Sequence, residues 1–125
     1  MIIGTVNADR EAIIRLRVVV TGGLDQNIDA VIDTGFTGFL TLPTALIATL
    51  GLPFHSRQQV ILGDGNVHSL NVHTGMLDWD GQLRRIEIDT ANTTPLVGMA
   101  MMYGYKLTVE DVDGGNVTIE LLPNP

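Results

Sequence analysis

The chain has 125 residues, 45% of them hydrophobic and 17% charged, with seven Lys and Arg against fourteen Asp and Glu for a formal net charge of −7. That length predicts one domain, residues 1–125, with enough apolar content for a real core. The acidity argues against a nucleic-acid partner, because such binding rests on phosphate neutralisation, and the absence of cysteine excludes disulfides, zinc thiolates and thiol nucleophiles.

Met1 to Asp9 shows neither a basic n-region nor a long apolar h-region, and no apolar run approaches a membrane span. A cytoplasmic protein with no membrane partner is therefore expected. From Ile13 to Val20, Ile14, Leu16, Val18 and Val20 alternate with Arg15 and Arg17, the pattern of a half-buried strand. Thr21-Gly22-Gly23 breaks it, and Gln26 to Ile32 forms the second arm of a hairpin. Asp33-Thr34-Gly35 follows, then a short strand over Phe39 to Leu42. Pro43 to Leu50 reads as a helix: Pro43 suits a first turn, Leu46, Ile47 and Leu50 share a face, and Gly51 suits its end.

Gln58 to Leu62 and Val67 to Trp79 flank Gly63-Asp64-Gly65-Asn66, a strong hairpin turn signal. A second turn falls at Trp79-Asp80-Gly81, and Ile86 and Ile88 share a face of the next strand. Leu96-Val97-Gly98 resumes an apolar run, and Met99 to Tyr103 suits a short helix. Leu107 to Val112 and Val117 to Leu122 then pair about Asp113-Gly114-Gly115-Asn116. The sum is a mostly β chain with one or two short helices.

A carboxylate is costly to bury unless it is paired or hydrogen-bonded. Asp33 at the end of Ala30-Val31-Ile32 is therefore either a structural turn residue or a functional acid. The other constellations are weaker. His68 and His73 are five apart on one strand and point to opposite faces, which does not favour a shared metal. The segment from Asp111 to Glu120 fails the spacing of a calcium loop, so no metal is expected.

In that context, Asp33-Thr34-Gly35 followed by Gly38-Phe39-Leu40, a helix, a glycine-tipped hairpin and Leu96-Val97-Gly98 resembles a retropepsin-like (clan AA) aspartic protease. The resemblance is to the prokaryotic single-domain branch that carries Asp-Thr-Gly-Phe, and it runs from about Ile14 to Leu122. It implies a small closed antiparallel acid-protease-like barrel with a flap hairpin. It implies Asp33 as the catalytic carboxylate, with Thr34 and Gly35 completing the motif and Thr34 hydrogen-bonding across a dimer axis. It places Gly63, Asp64 and Gly65 at the tip of a flap, about Leu62 to Val67, over an extended polypeptide substrate. It has Leu96-Val97-Gly98 crossing behind the active-site loop. Phe36 stands where the family often has Ala or Ser, and Gly98-Met99-Ala100 where retroviral members carry Gly-Arg-Asn or Gly-Arg-Asp.

The chemistry sets its own requirement. Aspartic proteolysis uses two carboxylates sharing a proton, one as base and one as acid. The chain has a single Asp-Thr-Gly, and Asp89-Thr90-Ala91 lacks the glycine that would tighten a second such turn. A two-fold homodimer supplies the second carboxylate. The expected activity is that of an aspartic endopeptidase needing no cofactor. The alternative is a non-catalytic peptide-binding or dimerisation module on the same fold.

Overall fold

The computed structural model describes residues 1–61 and 63–123. Ten strands and two short helices run among the described residues: β1 (Ile2–Val6), β2 (Ala12–Val19), β3 (Gln26–Ile32), β4 (Leu40–Leu42), α1 (Thr44–Leu50), β5 (Phe54–Ile61), β6 (Val67–Trp79), β7 (Gln82–Thr90), β8 (Leu96–Val97), α2 (Met99–Met102), β9 (Tyr105–Val109) and β10 (Asn116–Leu121). They hydrogen-bond in the order β5-β6-β7-β4-β8-β3-β2-β1-β10-β9. β2 also pairs with β6, Arg17 to Val19 against Asp78 to Met76, which closes β6-β7-β4-β8-β3-β2 into a six-stranded barrel.

Alternation decides what fills the barrel. Leu16 and Val18 of β2, Ile28 and Ala30 of β3, Leu40 and Leu42 of β4, Ile86 and Ile88 of β7, Leu77 of β6 and Val97 of β8 form one buried cluster. Ile47 and Leu50 of α1 and Met101 and Met102 of α2 pack on it. Pro43 precedes α1 in extended backbone, and Gly51 ends it in the left-handed region, as its position predicts. Trp79, only 1% exposed, meets the Tyr105 ring edge-on at 5.8 Å.

Most pairings are antiparallel, but β3–β8 and β4–β7 are parallel. β5 continues β6 out of the ring as a hairpin, and β1, β10 and β9 continue β2 as a terminal sheet. Three expected boundaries are corrected. β1 occupies a stretch with no expected strand, seated between β2 and β10. β5 starts at Phe54 rather than Gln58, because pairing with β6 carries it through a polar stretch and over a register shift at Phe54/Ser56. β9 ends at Val109 rather than Val112, because Glu110 to Gly115 folds into a turn closed by Gly115 N–H donating to the Val112 carbonyl at 2.8 Å. Leu62, the first residue of the expected flap, lies outside the described residues.

Candidate active site

β3 delivers Asp33 to the edge of the barrel. The Asp33 N–H donates to the Val97 carbonyl at 2.9 Å, so the strand's last bond is to β8. Phe36 N–H donates back to the Asp33 carbonyl at 3.1 Å, closing a tight turn. Asp33 Oδ1 accepts the Gly35 N–H at 2.9 Å. Oδ2 has no partner among the described residues. One carboxylate oxygen is thus oriented by the turn and the other is left without a hydrogen bond among the described residues. Asp33 is half-buried, while Thr34 and Gly35 are exposed.

The segment after β8 braces this turn from behind. Gly98 N–H donates to the Phe39 carbonyl (3.0 Å), Met99 N–H to the Phe36 carbonyl (2.8 Å) and Ala100 N–H to the Gly38 carbonyl (3.1 Å). The expected crossing of Leu96-Val97-Gly98 behind the Asp33 loop is therefore present. Such closeness requires glycine at 98. A Cβ there would collide with the Gly38 carbonyl oxygen, and would lie 2.6 Å from Phe36 Cδ2 and 2.8 Å from the Phe36 carbonyl oxygen. The Phe36 ring also lies 2.6 Å from the place of a Cβ on Gly38. Phe36 is thus a wedge between two glycines, a role that the tripeptide motif does not reveal.

Gly63, Asp64 and Gly65 lie at the turn of the β5–β6 hairpin. Asp64 Oδ1 accepts the Asn66 N–H at 2.8 Å, and Oδ2 lies 3.0 Å from His68 Nε2. The Asn66 backbone N–H, and then His68, hold the Asp64 carboxyl below its ordinary value. Gly65 has φ of +78°, the left-handed backbone that favours glycine. Residues 63–67 are all exposed.

The two strand histidines face opposite ways, as their spacing predicts. His68 meets Asp64, whereas His73 meets the Thr90 hydroxyl at 3.2 Å and the Phe54 ring. Among the described residues, none of the three best-formed clefts is lined by Asp33. The most enclosed, about 390 Å³, lies between the end of β2, Leu50 to Pro53 and Thr74 to Met76. Among the described residues no helix is long and apolar enough to cross a membrane.

A six-stranded barrel, a hairpin projecting from it, and an aspartate turn backed by a crossing strand and short helix together define the retropepsin-like fold. A solved structure, a retropepsin-like aspartic protease from Rickettsia conorii, superposes with a TM-score of 0.63 over 98% of this chain and 91% of its own, at 16% identity. No protein-family model matches the chain, and no curated protein matches it. The likeness therefore rests on the fold.

Proposed function

We propose that the chain is an aspartic endopeptidase whose active site forms across a homodimer, with residues 1–125 acting as one domain. The observation that carries this reading is the Asp33 turn. A half-buried carboxylate is oriented through one oxygen by Gly35 N–H, and its backbone is pinned to Val97. Fixed geometry of this kind is what charge-stabilising catalysis requires. The fold it shares with a protease of the retropepsin type supports the same reading.

In the mechanism, Asp33 and its mate share one proton, because like charges in contact do not both ionise. The ionised member activates a water, and the protonated member polarises the scissile carbonyl. Thr34 and Gly35 keep the two turns in register, with Thr34 bonding across the axis. Gly63, Asp64 and Gly65 close over an extended polypeptide and exclude bulk water. Met99, 46% exposed and hydrogen-bonded through its N–H to the turn at Phe36, supplies an apolar contact where retroviral members use Arg.

The test combines a dilute-solution mass measurement with a peptide-library digest of wild type and Asp33→Asn. The expected result is a dimer that cleaves under acidic to mildly acidic conditions, and an Asp33→Asn dimer that does not. Equal cleavage by both proteins would sink the reading. Peptide binding by a chain that never cleaves would instead identify a binding module.

A further inference from the structure

We infer that Asp89 is a specificity residue that receives a basic side chain, Lys or Arg, of a polypeptide lying between the Asp33 turn and the flap. The inference rests on the proposed site and names the class of substrate that it takes.

Register places the residue. Val31 pairs with Leu96, Leu96 with Thr41, Thr41 with Asp89, and Asp89 with Val72, a single row across five strands. The next row, Ile32, Val97, Leu40 and Ile88, points the opposite way, and its last three members are in the barrel core. The Asp89 row therefore faces out of the barrel. Asp33 lies two residues beyond Val31, so the pleat directs it to the same side. So does the less exposed face of the flap. Val72, Leu70 and His68 share one side of β6, and Ser56, Gln58 and Val60 lie opposite them on β5; apart from the buried Val72 and the exposed Gln58 these are half-buried, between exposed neighbours. Asp89, the Asp33 turn and the inner face of the flap thus border one surface.

That surface carries an unbalanced carboxylate. Thr41 and Val72 on either side of Asp89 are 6% and 1% exposed. Among the described residues the Asp89 side chain joins no hydrogen bond, and the ion pairs involve Asp80, Asp29, Asp25, Asp78 and Asp64 instead. Burial, and then Glu87 two residues back on the same face, push the Asp89 carboxyl up from its ordinary value. A bound cation offsets both effects. Gly38 of the Asp33 loop adjoins the carboxylate: the place of a Cβ there is 3.5 Å from Asp89 Oδ2, beside the Phe36 ring.

The experiment scans one Lys, or its uncharged analogue norleucine, along an extended peptide. Binding to Asp33→Asn is read by fluorescence anisotropy, and cleavage by wild type is read in parallel. At one register position Lys is expected to bind about tenfold tighter than norleucine. Adding Asp89→Asn should reduce that ratio to near unity, and Asp89→Leu should favour norleucine. The Lys-to-norleucine ratio on the unmutated Asp89 surface needs no folded variant of Asp89. No discrimination at any position, or discrimination that survives Asp89→Asn, overturns the inference. Asp33-dependent cleavage without a Lys preference overturns it and leaves the protease reading intact. Asp89-dependent binding with no cleavage by wild type does the reverse.

Discussion

The Asp33 turn and the tip of the flap are both glycine-bearing turns with an aspartate, and they are held in opposite ways. The Asp33 turn is tied to residues more than sixty positions away, through Asp33 to Val97, Met99 to Phe36 and Ala100 to Gly38. The contacts of the flap tip span two and four residues, Asp64 to Asn66 and Asp64 to His68. Long-range backbone bonds open only when the barrel opens. A local turn opens at small cost, independently of the core. On the proposed reading, a carboxylate that must be pre-oriented belongs in the first setting, and a segment that must admit a peptide belongs in the second.

Gly98→Ala is the most severe way to break the first setting. The added Cβ meets the Gly38 and Phe36 carbonyl oxygens, which belong to backbone and do not rotate away. We expect a loss of about 3 kcal/mol in denaturant unfolding, accompanied by loss of any Asp33-dependent activity. Phe36→Ala removes the wedge and should cost about 2 kcal/mol, less than a fully buried Phe, because Phe36 is only half-buried. The double variant discriminates between backbone and ring. If ring contact alone requires Gly98, Phe36→Ala rescues Gly98→Ala. We expect no rescue, since two of the three close atoms are carbonyl oxygens.

Those two regions were unequally legible in the sequence. Alternation and turn residues read β3 at Gln26–Ile32, β6 at Val67–Trp79 and the turn at Asp80-Gly81, because these depend on neighbours along the chain. The flap tip belongs to the same class. The parallel pairs β3–β8 and β4–β7 left no local trace, and they are what assemble the Asp33 site. Asp89 shows the consequence. In sequence it stands in an incomplete Asp-Thr-Gly. Only the Thr41–Asp89 register reveals it as a neighbour of Gly38. β1 and the start of β5 were missed for a related reason. Gly4 has no side chain because the Ile13 carbonyl lies where its Cβ would be, and Phe54 to Arg57 is strand through its pairing with β6 rather than its own pattern.

Gly65→Ala probes the second setting. Nothing lies within 4 Å of the added Cβ, so the cost comes from φ of +78° alone. That is about 1 kcal/mol for a non-glycine residue in left-handed backbone. Amide hydrogen exchange should place the loss in residues 63–68 and leave Asp33 to Phe36 unchanged. A spread of faster exchange into the Asp33 turn would show the two regions to be coupled.

Asp64→Asn should have the smallest effect, and its size depends on pH. The side-chain oxygen of Asn still accepts the Asn66 N–H, so the turn survives and only the charge is lost. The Asp64 carboxyl titrates below its ordinary value, first through Asn66 N–H and then through His68. A carboxyl with a lowered folded value stabilises the fold above the ordinary carboxylate range, and that contribution disappears as the pH falls through the lowered value. Wild type should therefore protect the Asn66 and His68 amides better than Asp64→Asn at neutral pH, and equally well once Asp64 is protonated. Raised salt should shrink the neutral-pH difference, since the pair is exposed. A difference that persists after Asp64 is protonated would assign the tip's order to the Asx turn alone. On the proposed reading, the hairpin would then close over a peptide with no contribution from the Asp64–His68 pair.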